Sequence, residues 1–284
     1  MNDRKEQLKA FERLLDVMDA LRVGCPWDRK QTMDSLRPNT IEEVYELSDA
    51  VLAGDLHNVS KELGDVLLHI VFYSKIGSEK GAFDIADVCN LLCEKLIYRH
   101  PHVFGTTEVE SAGDVVKNWE QLKRTEKDGN KTVLSGVPSS LPPLIKAYRM
   151  QEKARAVGFD WEKREDVWDK VVEEIGEFKE ELVGLSESKL IEKMEGDSRT
   201  KAEAQRAAAQ GELGDLIFSI VNAARLYDLN PDTALETTCR KFKERFTYVE
   251  LKAKEMGKDL REMNLAEMDS LWNEAKSRNQ EPVL

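Results

Sequence analysis

The chain of 284 residues carries 54 acidic and 42 basic side chains, a formal net charge of −12, and 41% of its residues are hydrophobic. This length suits one large domain or two small ones with a core, and the acidic balance argues against a general nucleic-acid-binding protein, which needs a basic surface. The N-terminus lacks signal-peptide features, and no apolar stretch is long enough to span a membrane. We therefore expect a cytoplasmic protein with no nucleic-acid or membrane partner.

Helical periodicity dominates the sequence, and strand patterns are nearly absent. Apolar residues recur at the spacing of an amphipathic helix in eight segments. Pro231 follows Asn230 at a position suited to the start of a helix. The fold class is therefore predicted to be all-α. The eight segments are residues 11–21, 41–52, 66–76, 88–97, 167–183, 213–226, 234–246 and 265–275.

An acidic pattern occurs twice, each time on two successive predicted helices. In the first copy, E-E-V-Y-E at residues 42–46 precedes E-L-G-D at residues 62–65. In the second copy, E-E-I-G-E at residues 173–177 precedes E-L-G-D at residues 212–215. One such helix could be an ordinary solvated face, because Glu is a good helix former. Two copies, each followed by an apolar run, predict a duplicated site for hard metal ions.

The repeat extends to both sides of the acidic helices. All matched elements come in the same order, which chance similarity between acidic helices does not explain. The chain is therefore predicted to contain two similar helical modules in tandem. The matches pair residues 23–28 with 157–162, residues 95–99 with 241–245, and Trp119 and Lys123 with Trp272 and Lys276.

The two copies define the predicted domains. We expect an N-terminal domain over residues 1–128, a linker containing Gly, Ser and Pro over residues 129–143, and a C-terminal domain over residues 144–284. The second copy carries 19 more residues between its acidic helices, near residues 186–206. This polar insertion is predicted to form a loop or a mobile helical extension.

The second acidic helix of each copy gives the stronger argument for a metal. Residues 66–73 and 213–221 are apolar around nearly the whole helix, which predicts burial. Carboxylates that enter a buried helix cost free energy unless they are paired or bind a metal. Lys61 is a salt-bridge candidate in the first copy, but no basic residue lies within four positions before Glu212. These patterns favour a metal over a salt bridge.

Hard carboxylate oxygens favour Mg²⁺, or Mn²⁺, over zinc. Their excess negative charge fits several cations, or a cation that arrives with a polyphosphate. Lys241 and Arg245 share a helix face and can neutralise phosphates, and Trp272 beside Lys276 offers a stacking ring and a cation. The alternatives are a solvated basic face and a core tryptophan. Asn222 continues the acidic stripe of the second copy.

Together these residues resemble the MazG family of nucleoside triphosphate pyrophosphohydrolases. The E-E-x-x-E helix followed by E-x-x-D is that family's metal-binding signature, and residues 25–28 and 99–105 also resemble its tandem-domain members. The resemblance covers almost the whole chain apart from the insertion. It implies Mg²⁺-dependent hydrolysis of a nucleoside triphosphate to a monophosphate and pyrophosphate, helical bundles completed by homodimerisation, and most of the activity in the second domain.

Carried over position by position, the resemblance assigns metal ligands in both copies and nucleotide contacts in the second. Glu173 or Glu174 is the candidate general base. One departure is residues 208–211, A-A-Q-G, which replace a basic residue of the family. The implied ligands are Glu174, Glu177, Glu212 and Asp215, matched by Glu43, Glu46, Glu62 and Asp65, and the implied nucleotide contacts are Lys170, Lys241, Arg245, Trp272 and Lys276.

The expected reaction is attack of a metal-activated water on the α-phosphorus, with pyrophosphate leaving. A tryptophan platform without a reader of base edges predicts broad base specificity. Two alternatives stay open: a narrower dUTP or modified-nucleotide pyrophosphatase, and a non-catalytic nucleotide sensor or protein-interaction module.

The two sites are expected to be unequal. Lys170 lies one helical turn before Glu174, whereas the matching residue of the first copy is Asn39. Asn222 has a hydrogen-bonding side chain, whereas its counterpart is Phe72. We expect the second site to perform most of the hydrolysis, because the first lacks these interactions with a nucleotide.

Overall fold

The structure is a computed structural model that describes residues 2–109, 132–195 and 199–278, with residues 111, 113, 115, 118, 119 and 122 and without the side chains of residues 187–201. The described residues form helices and turns with no strand, which confirms the all-α fold class. They divide into two compact units, residues 1–122 and 123–284, called the first and second modules below.

The helices of the first module begin at polar residues that cap their free backbone amides. The Asp3 carboxylate accepts a hydrogen bond from the Glu6 amide at 2.8 Å, and the Thr32 hydroxyl accepts one from the Ser35 amide at 3.1 Å. Such caps satisfy amides that lack an intrahelical partner. The helices are α1 (Arg4–Gly24), α2 (Met33–Ala53), α3 (Leu56–Glu79), α4 (Ile85–Arg99) and the short α5 (Pro101–Phe104).

A tight turn places the two acidic helices of the first module side by side. Gly54 ends α2 with a φ of 70°, a left-handed conformation that glycine adopts without a Cβ clash. Asp55 follows and caps α3 by accepting hydrogen bonds from the amides of His57 and Asn58. The chain reverses within these residues, so α3 packs along α2.

The core of the first module lies between α1, α2 and α3. Met18, Leu36, Val71, Phe72 and Ile76 are each at most 2% exposed and form one cluster. Burial of each of these side chains contributes about 1.5–3 kcal/mol before entropy costs. The packing therefore fixes which face of α3 points away from solvent.

The second module repeats the helix pair with longer helices. Asn230 caps α9 by accepting a hydrogen bond from the Thr233 amide at 2.9 Å, with Pro231 in the first turn, which confirms the predicted helix start. Val167, Val171 and Ala223 form the buried core between α7 and α8. The helices are α6 (Pro143–Arg155), α7 (Val167–Glu195), α8 (Arg199–Leu226), α9 (Pro231–Glu255) and α10 (Leu265–Arg278).

The residues near the insertion extend the two acidic helices of the second module. Helix α7 continues to Glu195, and α8 begins at Arg199. Residues 196–198 lie outside the described part of the chain, as do residues 129–131 of the predicted linker. Residues 132–142 of that linker form turns before α6. No helix in the described ranges has the length and apolar character needed to cross a membrane.

An ion pair between a buried arginine and a partly exposed aspartate ties α8 to the segment before α7. Arg225 is 3% exposed and donates from Nη1 to Asp160 Oδ2 at 3.1 Å and from Nη2 to Asp160 Oδ1. Burial alone would raise the pKa of Asp160, but hydrogen bonds from Arg225 and from the Trp161 backbone lower it below its usual value. The segment is therefore fixed by a paired charge.

Gly77 of α3 is predicted to tolerate no side chain. A Cβ there would lie 2.8 Å from the Phe83 ring and 2.8 Å from the Phe83 backbone oxygen. We expect Gly77→Ala to destabilise the protein by about 1–3 kcal/mol in urea unfolding, because overpacking outweighs the better helix propensity of Ala. The matched control is Gly64→Ala in the same helix, where a Cβ meets nothing within 4 Å. Equal stability of the two variants would contradict the packing argument.

Asp160→Asn should lower stability by about 1.5–3 kcal/mol at pH 7, because it removes the charged hydrogen-bond acceptor of the buried Arg225. The folded pKa of Asp160 is lowered. Its contribution is therefore full above the unfolded pKa of about 3.9 and is lost as pH falls through the folded pKa. Urea unfolding should show the gap between wild type and variant closing in acid. Asp269→Asn, at an exposed position, is the control; a gap that is independent of pH would refute the ion-pair explanation.

Candidate functional site

Three carboxylates converge between α7 and α8 in the second module. Glu174 and Glu177 lie one turn apart on α7, and Glu212 faces them from α8. Each offers an oxygen that lies within 4.8 Å of the others. This spacing suits one hard cation held by oxygen ligands. We call these three residues the second carboxylate cluster.

Glu174 is the residue of this cluster that most needs a cation. It is 5% exposed, and its Oε2 has no hydrogen-bond partner among the described residues. Its Oε1 lies 2.7 Å from Lys170 Nζ. A buried carboxylate oxygen without a partner costs free energy, so the lysine leaves one oxygen available for a metal ion.

The first module contains the matching cluster. Glu43 and Glu46 of α2 face Glu62 of α3 with the same spacing, and we call them the first carboxylate cluster. Glu62 is 2% exposed, and its Oε2 finds no partner in the described ranges. Its Oε1 lies 3.0 Å from Lys61 Nζ. Glu62 therefore forms the predicted salt bridge through Oε1 and leaves Oε2 for the predicted metal.

The two clusters differ in which helix supplies the buried glutamate and its lysine. In the first cluster both come from α3, the second acidic helix. In the second cluster both come from α7, the first acidic helix. The residues matching Lys61 and Lys170 in the other copy are Gly211 and Asn39, which carry no charge. A lysine thus contacts the buried glutamate of each cluster, from α3 in the first cluster and from α7 in the second.

Mutual repulsion within both clusters appears in the pKa values of their glutamates. Burial and the charges of Glu177 and Asp215 raise the pKa of Glu212. Burial and the charges of Asp65 and Glu46 raise the pKa of Glu43. A divalent cation would relieve this repulsion, so the donor set fits the metal predicted from the sequence.

The aspartates of the signature lie beside the clusters. Neither Asp65 nor Asp215 belongs to the three-carboxylate groups. Asp215 lines the adjoining cleft instead. Both are close enough for their charges to raise a glutamate pKa.

Glu174 of the second cluster lines a cleft of about 830 Å³, a volume typical of small-molecule sites. One end carries Lys170, Glu174 and Asp215. Farther along α8 the wall is polar, with Ser219, Asn222 and Arg225. The apolar walls come from the turns before α6, from α6, from the segment before α7, and from α7 and α8. Their residues are Leu134, Met150, Phe159, Trp161, Val167 and Phe218.

Lys170 lies at this cleft but is engaged by carboxylates. Its Nζ lies 2.9 Å from Glu173 Oε1 and 2.7 Å from Glu174 Oε1. Hydrogen bonds to Glu174 and then Glu173 raise the pKa of Lys170. Glu173 itself is exposed and lies outside the carboxylate cluster.

The four predicted nucleotide contacts of α9 and α10 are not among the residues that line this cleft, and their role stays a prediction. Arg245 lies over the Trp272 ring at 5.7 Å, and that ring also contacts Phe242 at 5.1 Å between centroids. Lys241 and Lys276 are exposed on the same two helices. The first module repeats the pairing, with Arg99 lying 5.8 Å from the Trp119 ring.

Several cleft residues were not predicted from the sequence. Met150 and Gln151 come from α6, and Phe159 and Asp160 precede α7. The available signal was the repeat itself, since Trp161 matches Trp27 and flanks Phe159. Phe159, in the segment that connects α6 to α7, is 82% exposed, which is unusual for a large apolar side chain.

Comparison with known proteins places the whole chain in one family. The family described as "MazG nucleotide pyrophosphohydrolase domain" matches residues 31–104. A Thermotoga maritima protein named nucleoside triphosphate pyrophosphohydrolase/pyrophosphatase MazG is 42% identical, with 96% of this chain and 98% of that protein covered. The Escherichia coli (strain K12) protein named nucleoside triphosphate pyrophosphohydrolase is 35% identical, with 95% and 98% covered.

A crystal structure of a mazG-related protein from Thermotoga maritima is 26% identical, covering 40% of this chain and 98% of that one, with a TM-score of 0.36. The two relatives that align over nearly their full length are 42% and 35% identical to this chain. The chain therefore belongs to the MazG family of nucleotide pyrophosphohydrolases.

Proposed function

We propose that this protein hydrolyses nucleoside triphosphates, ATP among them, to the monophosphate and pyrophosphate, mainly in the second module. The observation that carries the proposal is Glu174, which belongs to a three-carboxylate cluster, lines a cleft of nucleotide size and has a buried oxygen without a partner among the described residues. The names of two relatives aligned over nearly their whole length support the same reaction.

Glu174, Glu177 and Glu212 would hold Mg²⁺, or Mn²⁺ in its place, because all three offer hard oxygen ligands. When bound, the ion would offset the charge of the polyphosphate and lower the pKa of a coordinated water. Asp215 lies at the edge of the same cleft. Burial and nearby charges, that of Asp215 among them, raise the pKa of Glu212, and Asp215 is our candidate for a further ligand.

The chain's own residues divide the remaining tasks. Glu174 belongs to the cluster, so Glu173 is the better candidate for accepting a proton from water, and its contact with Lys170 keeps it at the cluster's edge. Lys170 lines the cleft, where its ammonium can also pair with a phosphate oxygen. Both roles require the protonated lysine, which its raised pKa ensures at neutral pH.

The walls of the cleft favour broad base specificity. Phe159, Trp161 and Phe218 supply aromatic surface, and stacking on such surface tolerates every base. A narrower dUTP or modified-nucleotide pyrophosphatase would need donors and acceptors that match one base. Comparison of turnover across the common ribo- and deoxyribonucleoside triphosphates distinguishes these specificities.

The first module keeps the carboxylates but fills the neighbouring space. Phe72, the counterpart of Asn222, is 2% exposed and belongs to the core cluster. Thr40 links His69 Nδ1 at 3.0 Å and the Tyr73 hydroxyl at 2.8 Å, whereas their counterparts are Val171, Ser219 and Ala223. These larger groups support the proposal that the first module contributes little hydrolysis.

Exposed apolar residues on the acidic helices support homodimerisation. The sequence predicted that α3 and α8 are buried all round, yet Ile70 of α3 is 41% exposed and Ile217 and Ile220 of α8 are 43% and 47% exposed. Leu63 and its counterpart Leu213 are exposed as well. A second copy that packs on these faces would bury them and complete the helical bundles.

Glu177→Gln is predicted to reduce turnover at least about 100-fold, because it removes a cluster carboxylate from an exposed position with little effect on folding. The matched control is Glu46→Gln, the equivalent position of the first cluster, which should stay within about twofold of wild type. The assay identifies products from each common nucleoside triphosphate with Mg²⁺. Loss of activity in Glu46→Gln alone would overturn the assignment to the second module, and nucleotide binding without turnover would favour a sensor.

Mg²⁺ is predicted to stabilise the folded protein, since it binds the carboxylates only where folding brings them together. At about 100 times its dissociation constant, the gain is about 2.7 kcal/mol. The measurement is urea unfolding of chelator-treated protein during Mg²⁺ titration. In Glu174→Gln, most of the stabilisation that arises from Mg²⁺ binding to the second module should be lost. K⁺ at equal ionic strength should not stabilise the wild-type protein. Stabilisation by K⁺ equal to that by Mg²⁺ would indicate charge screening and no specific site.

A further inference from the structure

Asn222 has a fixed orientation in the wall of the cleft. It lies two helical turns after Asp215 on α8, about 10 Å along the helix axis. Its Oδ1 accepts hydrogen bonds from Arg225 Nη2 at 2.8 Å and from Arg225 Nε at 3.2 Å. Both residues line the cleft.

The chemistry of Arg225 decides which end of the Asn222 carboxamide faces it. A guanidinium has donors only, so the carboxamide must turn its oxygen toward Arg225. The opposite orientation would place an NH₂ group against N–H donors. The Nδ2 group is thereby left for the cleft that Asn222 lines, and among the described residues the side chain is hydrogen-bonded only through its Oδ1. Asn222 therefore offers a ligand donors and no acceptor.

Arg225 is itself held in place from the other side. Asp160 accepts two hydrogen bonds from the Nη groups of Arg225, and Arg155 Nε lies 3.8 Å from the same carboxylate. Charge-assisted, bidentate bonds fix both distance and plane. The chain of contacts Asp160–Arg225–Asn222, which we call the amide clamp, joins residues up to 65 positions apart.

The first module folds without an amide clamp. The positions matching Asp160, Asn222 and Arg225 are Pro26, Phe72 and Lys75. Phe72 packs in the core, and Lys75 Nζ pairs with Asp19 at 2.7 Å. The helix pair and its carboxylate cluster therefore do not require the clamp, which suggests a role toward a ligand.

We propose that Asp160 and Arg225 are positioning residues that hold the Asn222 Nδ2 group to donate a hydrogen bond to an acceptor atom of the nucleoside, on its sugar or its base. The inference rests on the proposed function, since phosphates at the carboxylate end would put the nucleoside at the distance of Asn222. The clamp thus contributes to nucleoside binding and leaves the polyphosphate to the carboxylates, their cations and Lys170.

The test measures binding by calorimetry to the full chain with Mg²⁺, using AMP as the nucleoside probe and inorganic tripolyphosphate as the phosphate probe. Asn222→Ala should weaken AMP binding about tenfold, as expected for one lost hydrogen bond, and change tripolyphosphate binding less than about twofold. Asn222→Asp keeps an acceptor for Arg225 but has no donor, so it should weaken AMP at least as much while remaining folded.

Arg225→Lys keeps the charge beside Asp160 but cannot bridge both partners with one planar fork. It should weaken AMP binding in the wild-type background and have no further effect in the Asn222→Ala background, because it acts through Asn222. A far-ultraviolet circular dichroism spectrum checks folding of each variant. Unchanged AMP binding in Asn222→Ala, or equal effects of Arg225→Lys in both backgrounds, would overturn the proposal.

Deoxynucleotides separate the two acceptors. If a sugar hydroxyl is the acceptor, the effect of Asn222→Ala on binding disappears with 2′-deoxy-AMP or 3′-deoxy-AMP, whichever lacks that hydroxyl. If the base is the acceptor, the effect of Asn222→Ala differs among AMP, GMP, CMP and UMP. Binding that is sensitive to Asn222 but gives no hydrolysis would refute the proposed function and keep the clamp. Wild-type protein that binds tripolyphosphate but no nucleotide would refute the clamp.

Discussion

Repulsion among carboxylates is the constraint around which each module is built. Two helices bring three glutamates within a few ångströms, and one glutamate of each group is nearly buried. Neither Lys61 nor Lys170 resolves this, because each contacts one oxygen and leaves the other unpartnered. The energetic cost is tolerated because apolar packing beside the clusters stabilises the helix pair. A hard cation and an anionic ligand are the partners that such a site fits.

Local rules account for the parts of the fold that the sequence predicts well. Helices follow from apolar periodicity and from capping residues such as Asp3 and Asn230, which act within one turn. The glutamate clusters follow from spacing along two helices and from the repeat. Asp65 and Asp215 were also expected among the ligands. They lie outside the three-carboxylate groups, and their role as ligands stays a prediction.

Contacts between distant parts of the chain lie beyond such rules. The cleft wall depends on α6 packing against α8, where Gln151 Nε2 donates to the Phe218 carbonyl at 2.9 Å. Nothing in the local pattern around Asp160 indicates that Arg225 binds it. The positions of Lys241, Arg245, Trp272 and Lys276 relative to the cleft depend likewise on how α9 and α10 pack. Sequence reasoning therefore predicted the glutamates that cluster, but it did not predict the residues of α6 and of the segment before α7 that line the cleft.

The exchange of lysines between the clusters has a consequence for how duplicated sites diverge. Lys61 and Lys170 occupy unrelated positions in the repeat, yet each contacts the most buried glutamate of its own cluster. In both modules a lysine thus offsets the charge of the buried glutamate, although the lysine comes from the second acidic helix in one module and from the first in the other. In each cluster the lysine and the buried glutamate that it contacts come from the same helix, which is α3 in the first cluster and α7 in the second. A tandem duplication can in this way retain one acidic motif in both copies while each copy buries a different glutamate of that motif.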